Sequence, residues 1–441
     1  MRKSFIVFIL CSVIPVALMA GETMTLDQCV EIALEHNPQL AQSRYTKAIA
    51  GKEVLNAVSN FLPSADFALG YDHSVSGPST TMWVDPVTGL KKPMQSSEEK
   101  TWFSSSSFVV NQPLFSGGYN YFSLKNSLAG KRSAEFEFED MRQQIIYAVK
   151  EQYYNLLKAE KLLEVSQEAM KSSEESFKLA EARYQVGTAP KSEMLQFKVE
   201  LENAKLALIE AQHNLSIART RLNQVLGMDI DREMKVVDDL ELPEVDIEMQ
   251  KAVQISAEKH PILLKSTADV DGARTYIGMA VSQYMPSISM TYRYSWNHED
   301  FHQIKHMLDN NYTWSAGVSL SIPLFRGFSR YAQMGRAKLN YKVAREVLNY
   351  YTRQVDLLVK QAYFNVQQAK KKIKVTEDAE AAADETMRLN KEKYHLGAGT
   401  MLDLINAQTS YTEAKSNRIQ ALYDYKLAVA ELQRAMGELN Q

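Results

Sequence analysis

His298, His302 and His306 stand four residues apart with Glu299 and Asp300 beside them, a set that would hold a transition metal if the stretch were helical. Nothing else around them supports a helix, so a polar, solvated loop is the better reading and no metal is expected. Other chemistry has less to stand on. The 441 residues contain no glycine-rich loop to cradle a phosphate, no nucleophile elbow and no paired carboxylates in a predicted pocket. No catalytic residue, enzymatic activity or cofactor is therefore expected. The basic run Lys370 to Lys374, KKKIK, reads as a solvated helix face, and a formal charge of −3 gives no reason to expect nucleic-acid binding.

Two other stretches organise the chain. Lys393 to Asp403, KYHLGAGTMLD, closes a hairpin between two very long helical patterns, and Arg183 to Glu193, RYQVGTAPKSE, closes a matching one earlier. Glycines Gly187, Gly397 and Gly399 serve the backbone where a helix ends. The hairpins match because the whole chain is doubled. Residues 25–63 recur at 248–286 with an offset of 223, pairing Pro38 with Pro261 and Pro63 with Pro286. Beyond a loop the offset becomes 210, pairing Pro113, Leu114 and Phe115 with Pro323, Leu324 and Phe325, and Gly187 with Gly397.

Residues 1–20 read as a secretory signal, with Arg2 and Lys3 as the basic region, Phe5 to Leu18 apolar, and Ala20 before the cut. Its removal takes the formal charge from −3 to −5. Cys11 lies inside it, so Cys29 is left as a single thiol, read as a small buried residue. The first repeat, 21–227, is predicted to hold helices 25–36 and 38–62, strands 64–75 and 101–112, and helices 118–186 and 191–226. The second, 249–437, is predicted to hold helices 249–259 and 261–284, strands 286–296 and 312–322, and helices 328–396 and 400–436. An equatorial connector at 228–248 reads as a strap around the outside of the helices, and 438–441 as a tail.

After Pro286 the hydrophobic period switches from 3.6 to 2. Ile288, Met290, Tyr292, Tyr294 and Trp296 alternate with small polar residues and Arg293, and so do Tyr312, Trp314, Ala316, Val318, Leu320 and Ile322. Strands of about ten residues with one apolar face, and aromatics at the loop end, are the signature of a membrane barrel with a wet lumen. The first repeat is weaker, with Phe67, Leu69 and Tyr71 on one strand and Trp102, Ser104, Ser106, Phe108 and Val110 on the return. Four strands cannot close a barrel, and an open edge in lipid leaves backbone groups unpaired. Several chains must share one barrel: two give eight strands that side chains nearly fill, whereas three give twelve and leave a pore.

The long helices would each reach roughly 100 Å. Leu201, Ala204, Leu208, Ala211, Leu215, Ala218, Leu222 and Val225 form a heptad of alternating large and small residues, and the matching positions in the second repeat have one charged exception, Arg418. A return helix and the short helix before the strands together match one long helix, so two stacked helices can line an uninterrupted one.

The signal, the doubled unit, the LP and MP stops, PLFSGG and PLFRGF after the second strands, and the VGT and LGAGT hairpins resemble the TolC family of outer-membrane efflux proteins. The resemblance implies a mainly α fold with a membrane β-barrel: two tandem repeats, a long antiparallel helical barrel, and four strands per chain completing a trimeric twelve-stranded barrel. It implies a homotrimer in outer-membrane lipid with a long periplasmic extension. It also implies a periplasmic adaptor as direct partner, and an inner-membrane transporter reached through that adaptor. Asp403 matches the position of an aspartate that rings the periplasmic constriction in related channels; the family's second aspartate falls at Asn406, and the first-repeat equivalents are Glu193 and Gln196. Gly187, Thr188, Gly397, Gly399 and Thr400 then sit at the adaptor-docking tips. The function implied is the exit duct of a tripartite efflux pump or type I secretion system, gated at its helical tips. The alternative is a periplasmic coiled-coil adaptor or scaffold without a pore, which would lack the strands at 287–296 and 312–322.

Overall fold

The computed structural model describes residues 23–238, 242–243, 245–298 and 312–439. The signal segment and the loop carrying His302 and His306 lie outside the described residues, and His298 is described only as the last residue of a strand. In order, the elements are β1 (Thr23–Met24), α1 (Leu26–His36), α2 (Pro38–Ser59), β2 (Ser64–Ser76), β3 (Ser79–Val84), β4 (Lys91–Ser96), β5 (Glu99–Ser116), α3 (Tyr119–Gln185) and α4 (Lys191–Leu226). Then follow β6 (Lys235–Val236), α5 (Met249–Lys259), α6 (Pro261–Ser282), β7 (Ser287–His298), β8 (Tyr312–Ser321), α7 (Ser329–His395) and α8 (Met401–Ala435). At 67 residues each, α3 and α7 run about 100 Å. No helix among the described residues is long and apolar enough to cross a membrane.

The chain divides into two units. One comprises Thr46–Glu135 and Lys265–Tyr350; the other comprises the chain up to Tyr45, Phe136–Leu264 and everything from Tyr351 on.

The first unit is built on an antiparallel sheet ordered β2-β5-β7-β8. Its register aligns the apolar residues of all four strands. Phe67 faces Phe108, Phe108 faces Tyr294 and Tyr294 faces Trp314, while Leu69 faces Ser106, which faces Trp296 and through it Tyr312. Directly opposed residues share a face, so one side of the sheet is apolar. The serines that weaken the β5 pattern have a place in it: Ser104 and Ser106 are buried, Ser104 opposite Tyr71 of β2 and Ser106 between Leu69 of β2 and Trp296 of β7. Ser64, Asp66, Ser105, Ser107, Ser289, Thr291, Arg293, Ser315 and Ser319 fall on the other side.

Three differences from the sequence pattern stand out. The stretch between the first two strands contains a further hairpin, β3 with β4, whose turn is closed by Asp85 accepting from the Val87 amide at 2.9 Å. Those amide bonds and Lys92 hold the Asp85 carboxyl below its usual range. The DPVTG turn between Val84 and Leu90 was the available signal. Strand β5 runs on to Ser116, past an irregularity between Pro113 and Phe115. Helices α2 and α6 stop at Ser59 and Ser282, short of the predicted ends. Leu62 and Met285 precede prolines, which disfavours helix there, and the chain closes tighter turns instead, Leu62 N to Ser59 O and Met285 N to Ser282 O, both 3.0 Å.

In the second unit α8 lies between two cores. Tyr423 belongs to a cluster with Cys29, Val30, Ile146, Tyr153 and Leu222, whereas Tyr425, Val429 and Leu432 belong to one with Val355, Val359 and Ala362 of α7. Cys29 is fully buried, and that burial pushes its thiol up to about 12. Arg418, the charged exception in the heptad, pairs with Glu380 at 2.7 Å. The connector is tied down where it is described. β6 pairs in parallel with β1, and the buried Tyr153 hydroxyl donates to Met24 O and Val237 O. Tyr423 donates to Asp238 at 2.9 Å and Tyr425 to Pro243 O at 2.7 Å. Residues 438 and 439 are no free tail: Leu439 is fully buried and Glu438 pairs with Lys259 at 2.6 Å.

The joint between stacked helices is built twice. Gly227 ends α4 with φ 73° and Gly437 follows α8 with φ 74°. A Cβ on Gly227 would come within 2.6 Å of His36 O, and one on Gly437 within 2.8 Å of the His260 Cα, so both glycines let the chain press against an elbow between two helices. At the elbows Asn37 Oδ1 accepts from the amides of Gln39 and Leu40, and His260 Nδ1 accepts from the Ile262 amide at 3.3 Å.

Candidate functional site

Both hairpin tips are closed by glycines at positive φ, Gly187 at 79° and Gly397 at 73°, as a helix ending in a left-handed residue requires. Thr188 N and Oγ1 both reach Arg183 O, at 2.9 and 3.0 Å, and Ala398 N and Gly399 N reach Lys393 O at 2.9 and 3.0 Å. Gly187, Thr188, Gly397 and Thr400 are exposed. Gly399 is half-buried for a packing reason: a Cβ there would stand 3.0 Å from the Tyr394 amide nitrogen.

The helices leaving the two turns start differently, and this sets their carboxylates apart. Thr400 caps α8, accepting from the Asp403 amide at 3.2 Å and donating to the Asp403 carboxylate at 2.6 Å. Asp403 is thus an exposed first-turn carboxylate, favoured there by the helix dipole. Asn406, one turn on, is exposed as well. The corresponding cap of α4 is Pro190, which has no side chain to offer, and Glu193 accepts instead from the Tyr394 hydroxyl at 2.6 Å. Glu193 is half-buried and Gln196 exposed, so the four tip positions do not form one equivalent set.

Tyr394 is the residue that sequence reasoning left without a role. It is 2% exposed, packs on Phe197 at 5.7 Å between ring centroids, and carries the Arg183 guanidinium over its face at 5.1 Å. Burial first, then the bond to Glu193, pushes its phenol up to about 12. Ala180, Phe197, Tyr394, Leu404 and Ile405 form a small core that joins the two hairpins, and Gln408 extends the link by donating to Ser172 and Ser176, each at 3.0 Å. The signal was the repeat itself, which matches Tyr184 to Tyr394. It could not show that Tyr184 is exposed and Tyr394 buried.

A second feature lies where the strands pass into helices. Gly117, between β5 and α3, is packed so closely that a Cβ would meet Ser282 O at 2.6 Å and the Met285 Cβ at 2.9 Å. Further along α3, Phe122 fills the space left by Gly278, and Arg132 and Ser133 bond Asp271 and Asp269 at 3.1 and 2.6 Å. The second-repeat equivalent, Gly327, has open space where a Cβ would be. Around it Leu324, Phe325, Phe328 and Tyr331 are exposed, as are Ile49 and Leu55 on α2.

Among the described residues no cluster could hold a metal ion.

Comparison with known proteins bears on these features. The sequence pattern of the family described as Outer membrane efflux protein matches residues 29–228 and 252–438, once over each repeat. The chain is similar to Outer membrane protein TolC of Vibrio cholerae, 21% identical over 412 residues that cover 93% of this chain and 90% of that protein. It is also similar to the alkaline protease secretion protein AprF of Pseudomonas aeruginosa, 22% identical over 341 residues, covering 76% and 70% of the two chains. Among solved structures, the Campylobacter jejuni CmeC outer membrane channel superposes with a TM-score of 0.80 over 94% of this chain and 86% of that one, at 19% identity. With both repeats matched, this chain belongs to the outer membrane efflux protein family.

Proposed function

We propose that this chain is one subunit of a homotrimeric outer-membrane duct, the exit of a tripartite efflux pump or a type I secretion system, gated where its helical hairpins turn. The observation that carries this is the sheet. Its apolar face bears aromatics at the loop end, its other face is mostly hydroxyls, and among the described residues its outer strands β2 and β8 have unpaired edges. A strand of ten to thirteen residues at the usual barrel tilt spans roughly 25–33 Å, the thickness of a hydrocarbon core. In lipid the edges need partners, and three copies joined β8 to β2 make twelve strands. An adaptor or scaffold without a pore has no use for such a sheet.

The repeat supplies the seam between subunits. If Gly327 is seated as Gly117 is, its neighbours are Ser59, Leu62 and Pro63 of the partner subunit, which match Ser282, Met285 and Pro286. The contact sizes are then exchanged: Phe122 against Gly278 within a subunit becomes Ala332 against Leu55 between subunits, and Ala129 against Gly272 becomes Leu339 against Ile49. Exposed apolar groups on α2 and α7 are covered in this arrangement.

Three Asp403 carboxylates about the three-fold axis form the gate, with Asn406 as a neutral second ring and Glu193 and Gln196 as the first-repeat positions beside it. Gly187, Thr188, Gly397, Gly399 and Thr400 form the tips that meet a periplasmic adaptor, and through it an inner-membrane transporter. The exposed Val186 and Leu396, repeat mates immediately before the glycines, support an apolar docking contact. The test is disulfide cross-linking of a Leu62→Cys, Phe328→Cys chain in outer membranes, followed by planar-bilayer conductance. Trimers under oxidation, absent in either single variant, and ion-conducting pores are expected; monomers that do not conduct overturn the proposal.

A further inference from the structure

The polar face of the sheet carries few charges, and two of them share one row. Among the described residues of that face the charged side chains are Asp66 and Asp72 on β2, Glu99 at the far end of β5 and Arg293 on β7. Asp66 is opposite Val109, Val109 is opposite Arg293, and Arg293 is opposite Ser315. The remaining neighbours of Arg293 on that face, Thr291 and Ser295, are uncharged. Both Asp66 and Arg293 are exposed, so neither is a buried structural pair.

We propose that Asp66 and Arg293 form an alternating charged collar inside the barrel that sets the duct's preference between anions and cations, a selectivity element separate from the hairpin tips. This rests on the trimeric duct reading. With strand order β2-β5-β7-β8, Arg293 lies two strands from Asp66 of its own subunit and two from Asp66 of the partner subunit across the seam. Three carboxylates and three guanidiniums therefore alternate around the lumen, each Arg293 about 10 Å across two strands from Asp66 of its own subunit, close to one Debye length at ~0.1 M salt. Asp72, six residues along β2 and roughly 20 Å away, is too far to neutralise them. The two signs do not reach equally far. An aspartate ends one methylene from its Cα, whereas an arginine extends its planar, always charged fork well into the lumen. The inner rim is positive, and it favours solutes carrying carboxylate or phosphate groups.

The experiment compares Arg293→Gln and Asp66→Asn in planar bilayers under a KCl gradient, with Asp403→Ala in every arm so that the tip carboxylate does not dominate. Arg293→Gln is expected to raise the potassium-to-chloride permeability ratio about threefold or more, and Asp66→Asn to lower it. Inorganic tripolyphosphate should block the parent channel more strongly than Arg293→Gln. Conducting variants whose reversal potentials equal the parent's overturn the collar alone. A parent chain that never conducts overturns the duct reading and the collar with it.

Discussion

The Tyr394 hydroxyl donates to the Glu193 carboxylate at 2.6 Å and so bonds α7 of one hairpin to α4 of the other. The bond exists because Pro190 leaves Glu193 without a capping partner and because Phe197 and Arg183 hold the Tyr394 ring in place. A hydrogen bond to a charged group contributes about 1.5–3 kcal/mol, so Tyr394→Phe should loosen the joined tips while keeping their packing. Faster amide exchange around Ala180 and Leu404, with none around Val359, is the expected readout; uniform exchange across both regions would refute a local role.

Asp403 presents an exposed carboxylate on a helix whose cap does not depend on it, because Thr400 accepts from the backbone amide. Asp403→Ala should therefore raise single-channel conductance and weaken block by divalent cations without unfolding α8. Asn406→Asp adds a second ring and should strengthen the block. Single-channel traces with added magnesium decide both, and unchanged traces in Asp403→Ala would remove the gate assignment.

The glycines that end α4 and α8 sit at positive φ with backbone pressed against them, so Gly227→Ala and Gly437→Ala each add left-handed backbone strain to a steric clash. A loss of about 1–3 kcal/mol per site is expected. Gly51, which has open space around its Cβ position and lies inside α2, is the control: Gly51→Ala should stabilise by about 0.5–1 kcal/mol. Guanidinium midpoints followed by helical circular dichroism give the comparison.

His260 occupies in the second repeat the elbow that Asn37 occupies in the first, and its imidazole is buried. Burial first, then the charge of Arg434, lowers its pKa to about 4. The unfolded chain, with a histidine near 6.5, binds more protons between those values, so the stabilisation is present in full above about pH 6.5 and is lost as pH falls toward 4. The loss amounts to about 3 kcal/mol at most. His260→Asn keeps an acceptor for the α6 amide without a titrating group. Its midpoint should change less between about pH 7 and about pH 5 than the parent's; an equal change in both would place the sensitivity elsewhere.

Much of this architecture was legible in the residues alone. The change of period after Pro63 and Pro286, the uninterrupted 67-residue helices and the two glycine turns are local signals, set by where proline and glycine can stand and by which face of each element is apolar. Two interruptions were local as well and went unread: the β3–β4 hairpin, and the pre-proline turns that shorten α2 and α6. What the sequence could not express was partnership. Glu193 and Asp403 are repeat mates with the same charge and the same place in a helix. Only the fold puts Tyr394 against one and leaves the other in solvent. Likewise Gly117 and Gly327 follow the same motif, yet one is packed and the other open. Periodicity records which side of an element is apolar, but contacts between elements depend on distances across hundreds of residues. The tertiary structure therefore decided which of two like residues is buried and which is exposed.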